Sequence, residues 1–141
     1  MTDWTGGCLC GAIKYRATAD PVRAVNCHCG MCRRFSGAAF LTHVHFPVEH
    51  FEWLGGKPTV YRSSGWGGRG FCPACGSSIT MHEDVLTDRV QVTLGSLDRP
   101  DDAPPDDHVW FRDRVKWLRL DDDLTKFETS SDTVPTDAPD D

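Results

Sequence analysis

The amino-acid sequence predicts a mainly β fold of small antiparallel sheets with one short helix. Two observations carry that prediction. Helical periodicity is scarce, and short runs alternate between apolar and polar residues, separated by glycine- and proline-rich turns. Ile13-Lys14-Tyr15-Arg16-Ala17 is the first alternating run. The only helix is predicted from roughly Cys29 to Ser36. Phe40 to Phe46 alternates again, with Phe40, Val44 and Phe46 on one face. Gly55-Gly56-Lys57-Pro58, Ser63-Ser64-Gly65 and Gly67-Gly68 read as turns. Val90, Val92 and Leu94 alternate with Gln91 and Thr93, and Asp101 to Asp107, with Pro104 and Pro105, reads as a loop. Val109-Trp110-Phe111 and Val115-Lys116-Trp117-Leu118 suggest two late strands. From about Glu128 onward Ser, Thr, Pro and Asp dominate, a composition that buries too little apolar surface to fold. The expected organisation is one domain over residues 1–127 and an acidic, disordered tail over 128–141.

The chain has 141 residues and a net charge of −6, but the acidity is local. Residues 121–141 hold eight acids against the single base Lys126, and the rest holds 14 bases against 13 acids. A nearly neutral body excludes the basic footprint of a nucleic-acid binder. Arg112, Arg114, Lys116 and Arg119 read as the solvated face of a strand. No apolar run approaches the length of a membrane span, and Met1-Thr2-Asp3-Trp4 lacks a basic start, so no membrane association, no signal peptide and a cytoplasmic location are expected. Seven cysteines in that setting favour metal binding or catalysis over disulfides, and their odd number points the same way.

Those cysteines fall into three tight groups: Cys8 and Cys10; Cys27, Cys29 and Cys32; Cys72 and Cys75. Such spacings bring sulfurs to one point, which suits a soft, tetrahedral zinc ion. Seven sulfurs divide as four plus three. Four saturate a structural zinc, and three leave one position open for chemistry. Joining Cys8 and Cys10 to Cys72 and Cys75 would tie the first strand to a late hairpin. Cys72-Pro-Ala-Cys75-Gly76 is the most specific local signal, since two intervening residues let both sulfurs face one ion, and Gly76 permits the positive φ that aims amides at sulfur. The competing reading is a redox Cys-x-x-Cys, which requires a βαβ pattern that the sequence lacks. Cys27, Cys29 and Cys32, opening a short helix, can cap one metal from a single side, and the helix amides favour thiolate there. The fourth ligand is water, a histidine or a substrate thiol. A second structural zinc completed by histidine, and a pairing of Cys27 and Cys29 with Cys72 and Cys75, are the alternatives.

His28 lies between two cysteines and is expected to point away from their metal. His43 and His45 share a strand face and could approach a site, although such residues are more often half-exposed. His50, His82 and His108 have no partner visible in the sequence. The tryptophans are mostly core; Trp66, between glycines, could flank a ligand. Arg69 could meet an anionic ligand, with a solvated side chain as the default.

Gly6-Gly7-Cys8-Leu9-Cys10-Gly11-Ala12, Cys27-His28-Cys29-Gly30-Met31-Cys32-Arg33-Arg34 running into Ser36-Gly37-Ala38, and Phe71-Cys72-Pro73-Ala74-Cys75-Gly76 together resemble the glutathione-dependent formaldehyde-activating enzyme family, a group that also holds centromere protein V. His108-Val109-Trp110 through Lys116-Trp117 resembles the family's closing strands, so the likeness spans roughly residues 5–120. It implies a β-tent-like zinc fold, a structural zinc on Cys8, Cys10, Cys72 and Cys75, and a catalytic zinc on Cys27, Cys29 and Cys32. It also implies a carbon–sulfur lyase that reversibly adds glutathione, as co-substrate, to formaldehyde. The expected partners are therefore a small thiol and an aldehyde. A non-catalytic thiol carrier and an interaction domain are the rival readings.

Overall fold

The computed structural model describes residues 3–131. Among the described residues, eleven strands form two sheets, accompanied by one α-helix. Strands β1 (Trp4–Gly7), β2 (Lys14–Ala17) and β5 (Phe51–Trp53) make a three-stranded antiparallel sheet in the order β1-β2-β5. The larger sheet uses β3 (Arg23–Cys27), β4 (Leu41–Pro47), β6 (Thr59–Ser64), β7 (Gly67–Phe71), β8 (Ser78–Glu83), β9 (Arg89–Thr93), β10 (Asp107–Val109) and β11 (Thr125–Lys126). Its order is β11-β10-β3-β4-β9-β8-β7-β6, antiparallel except that β10 lies parallel to both neighbours. The expected mainly β fold with one short helix is what the chain adopts. Helix α1 (Gly30–Ser36) begins at Cys29, whose sulfur accepts from the Cys32 N–H, and stops at Gly37, where φ is 72°. A side-chain acceptor at the start and a left-handed glycine at the end are ordinary helix boundaries.

Two cores form because β4 is buried on both faces. Val44 and Phe46 pack with Trp4, Tyr15, Ile79 and Val92 between the sheets. The opposite face carries His43 and His45, beside a second cluster of Val25, Leu41, Met81, Val109 and Trp110 that also contains Cys27, Cys29 and Cys32. The register sets this face. Val25 pairs with His43, Cys27 with Leu41, Val109 with Cys27, His45 with Gln91, Gln91 with Met81 and Met81 with Arg69. Directly paired residues point the same way, so one surface of the sheet gathers sulfur, imidazole and guanidinium.

Several of these expectations are corrected. Gly67 and Gly68 lie inside β7 rather than in a turn. A Cβ on Gly67 would sit 2.4 Å from the His82 carbonyl oxygen, so the strand needs glycine to pair closely. Residues 115–118 are no strand; Leu118 N–H donates to Val115 O in a turn, because β11 occupies the edge of β10 instead. The basic residues there are correspondingly not a strand face: Arg112 lies over the Trp110 ring and Arg114 over Phe111. The tryptophans are mostly core, as expected: Trp4 and Trp110 are buried, Trp53 and Trp66 pack against the two clusters, and Trp117 is 72% exposed. Of the tail expected over 128–141, residues 128–131 are described: Trp110 N–H donates to Thr129 O and Arg23 to the Ser131 hydroxyl. The remainder lies outside the described residues. No helix among the described residues is long and apolar enough to cross a membrane.

Candidate functional site

The seven cysteines are brought to two points. Cys8 follows β1 and Cys10 the turn after it, while Cys72 and Cys75 occupy the loop between β7 and β8. Their four sulfurs lie within 4.8 Å of one another. Cys8 Sγ is 3.6 Å from Cys10 Sγ, which is 3.9 Å from Cys72 Sγ. Zinc–sulfur bonds of about 2.3 Å place the corners of a tetrahedron about 3.8 Å apart, so this cage fits zinc in donor type, number and size. Ile13 N–H donates to Cys8 Sγ at 3.2 Å and lowers its pKa against desolvation. Ser77 draws Cys75 down to about 5. Gly11 and Gly76 take positive φ, 83° and 80°, and their N–H groups donate to the carbonyls of Cys8 and Cys72 rather than to sulfur. Gly30, in contrast, is simply the first residue of α1.

Cys27 ends β3, Cys29 caps α1, and Cys32 lies in its first turn, so strand end and helix start deliver three sulfurs to one buried point. Cys27 and Cys32 hydrogen-bond to Cys29 and, with Arg69, hold its pKa down to about 2 despite burial. Cys32 is pushed up to about 12, since its bond to Cys29 and burial outweigh the pull of Cys27. Cys27 rises by the same bonds to its two neighbours. Three thiols that compete for one negative charge form a site whose electrostatics a cation completes. Its sulfur-only donor set suits zinc. Among the described residues no histidine joins the three sulfurs as a ligand.

Arg69 is the neighbour least visible in the sequence. It is 5% exposed, and its Nη1 lies 3.3 Å from Cys32 Sγ, with Nη2 3.9 Å from Cys29 Sγ and Met81 Sδ also in contact. The default of a solvated arginine is thus corrected: β7 pairs Arg69 with Met81 on the face that carries the thiols. Gly68-Arg69-Gly70 offers no local cue, since the two glycines face the other side of β7, where an added Cβ would meet Val60 and Thr80.

His43 and His45 are buried rather than half-exposed. Burial, with the charge of His45 second, holds His43 well below the usual imidazole range, and burial lowers His45 to about 3. His28 turns to His108, its Nε2 2.8 Å from His108 Nδ1, and His108 Nε2 reaches Asp122 at 3.0 Å. His108 and His82, which bonds Thr80, therefore do have partners. His50 lies 3.5 Å from the Thr18 hydroxyl.

A cavity of about 30 Å³ adjoins Cys27 and Cys29, with His43, Trp66, Arg69 and Trp110 among its walls. That volume admits one or two water-sized guests. Trp110 takes a left-handed φ of 54°, one of the unusual backbone states that gather at functional sites. On the other side of Arg69 an open groove of about 380 Å³ is lined by Met31, Arg34, Phe35 and Tyr61.

A sequence model described as glutathione-dependent formaldehyde-activating enzyme matches residues 3–113, and so takes in every cysteine of both clusters. The chain belongs to the glutathione-dependent formaldehyde-activating enzyme family. A Schizosaccharomyces pombe protein named as an uncharacterized lyase is 30% identical over 81 residues, and the matched stretch covers 56% of this chain and 57% of that relative. A crystal structure of a Rhodobacter sphaeroides protein shares the fold with a TM-score of 0.55 and 22% identity, covering 67% of this chain and 87% of the other. Asp122 and Thr129, which bond His108 and the Trp110 N–H, lie beyond the matched range.

Proposed function

We propose that this protein is a zinc-dependent carbon–sulfur lyase that reversibly adds a thiol such as glutathione to formaldehyde or a related small aldehyde. The observation that carries the reading is the buried three-cysteine cluster opening on a small cavity. Family membership and the lyase name of the yeast relative support it. Cys27, Cys29 and Cys32 would hold the catalytic zinc, and Cys8, Cys10, Cys72 and Cys75 a structural one. A metal held by three thiolates would supply a Lewis acid with one position open to the sulfur of the incoming thiol.

The chain's own groups then have defined tasks. The Arg69 guanidinium offsets the excess negative charge of three thiolates in a low-dielectric site. The cavity excludes all but a small carbonyl compound, and the groove beyond Arg69 has the size of a site for a peptide-sized thiol, with Arg34 available to a carboxylate. Addition forms the C–S bond, and the thiol proton ends on the former carbonyl oxygen.

The test follows exchange between formaldehyde, glutathione and their adduct by NMR, with the spontaneous reaction alongside. Zinc-loaded wild type is expected to accelerate exchange, and Cys32→Ser to abolish the acceleration while keeping the first metal. Equal acceleration by the variant would sink the assignment. Saturable thiol binding without acceleration would favour the carrier reading.

A further inference from the structure

Three side chains that line the small cavity each keep one buried N–H side without a partner: His43 at Nε2, Trp66 at Nε1 and Arg69 at Nε. The tryptophan and arginine nitrogens can only donate. A neutral imidazole nitrogen can donate or accept, and here the neighbours decide. Arg89 Nη1 lies 3.3 Å from His45 Nδ1, and a guanidinium has no acceptor, so His45 Nδ1 accepts. The proton of His45 is therefore on Nε2, 3.0 Å from His43 Nδ1. His43 Nδ1 accepts it, which leaves the His43 proton on Nε2, the unpartnered atom. The geometry agrees: the two rings are within 8° of parallel with centroids 5.1 Å apart, the spacing of rings meeting edge to edge along an N–H···N line. Arg89 itself, the first residue of β9, is anchored by Asp88, at 2.9 Å.

Buried donors rarely go unpaired, so three on one cavity mark a place that receives an acceptor from outside. We infer that His43 Nε2–H, together with the Trp66 and Arg69 N–H groups, binds the carbonyl oxygen of a small aldehyde and stabilises the negative charge that develops there as the C–S bond forms. Glu83 also lines the cavity, which favours a neutral carbonyl over an anion as the resident guest. The inference rests on the thiol–aldehyde reading above and assigns that reaction a catalytic residue. In the step the sulfur pair makes the C–S bond, and the C=O π pair moves to oxygen. His43 keeps its proton, and the thiol's proton neutralises the oxygen. His45 and Arg89 are positioning residues, since they act through the tautomer of His43.

The decisive experiment combines nitrogen-15 NMR of the histidine side chains with kinetics on the zinc-loaded protein. Wild-type His43 is expected to carry its proton on Nε2, and Arg89→Gln to scramble that tautomer. His43→Leu should lower kcat about 10²-fold with zinc content and KM little changed, the usual scale for one lost donor to a developing oxyanion. Arg89→Gln, at the start of β9, should give a smaller loss in kcat and guards against a misfolded core variant. A proton found on His43 Nδ1, or kcat retained in His43→Leu, would overturn the inference while leaving the lyase reading intact. Should wild type itself fail to accelerate exchange, the lyase reading falls separately, and formamide, an unreactive small carbonyl, judges the donor site. Joint shifts of the His43 Nε2–H and Trp66 Nε1–H signals during its titration would support it; unmoved signals at saturating formamide would overturn it.

Discussion

Arg69 shows how one side chain can govern a cluster it does not belong to. Its guanidinium lies against Cys29 and Cys32 sulfurs, and burial leaves it little water to share that charge. Groups that hydrogen-bond to metal ligands typically change metal affinity 10–100-fold when removed. Arg69→Met keeps the side chain's bulk beside Phe35 and Met81 but deletes the charge. The expected outcome is about 10-fold or more weaker zinc binding at the three-cysteine site, with the four-cysteine site unaffected, as read by chelator competition. Two equal affinities before and after mutation would show that Arg69 only fills space. The cysteines were legible because sulfur at short spacing has few other uses. Arg69, His43 and His45 were not, because their contribution comes from cross-strand register, which joins β7 to β8 and β3 to β4 over separations no local pattern encodes.

Elements tell the same story through their faces. Alternation in β4 identified a strand but read as half-exposed, whereas here the polar half is the floor of a second core. Glycine pairs normally signal turns, yet Gly67 and Gly68 are strand residues whose missing side chains admit neighbouring strands. The consequence is measurable. Gly67→Ala would drive its Cβ to 2.4 Å from the His82 backbone oxygen, which no side-chain rotation relieves. A loss of roughly 1–3 kcal/mol is expected, the usual cost of overpacking, read from urea unfolding. Gly65→Ala, with open space around its position, serves as the control and should cost far less. The converse holds for residues 115–118, which read as a strand; β10 takes β11 as its neighbour instead, and the segment turns.

At the scale of the whole molecule, two metal-sized cysteine clusters and buried imidazoles tie stability to pH in one direction. His45 is nearly buried, faces Arg89 and Arg23, and has its pKa lowered from 6.5 to about 3 by desolvation first and those charges second. His82 moves the same way through burial. A depressed imidazole pKa means that the unfolded chain binds the proton first as pH falls. Stability from the neutral ring is therefore complete above pH 6.5 and declines from there towards pH 3. Between pH 7.5 and 5, His45 alone is expected to cost roughly 2 kcal/mol. Thiolate ligands would add to this, since protons compete with metal for sulfur. Urea unfolding of metal-saturated wild type and His45→Gln at the two pH values separates the contributions. Both proteins should weaken in acid through their thiolates, but the variant should lose about 2 kcal/mol less. Equal losses would mean that the His45 ring is protonated or solvated in the folded state, and would also remove the fixed tautomer on which the donor role of His43 depends.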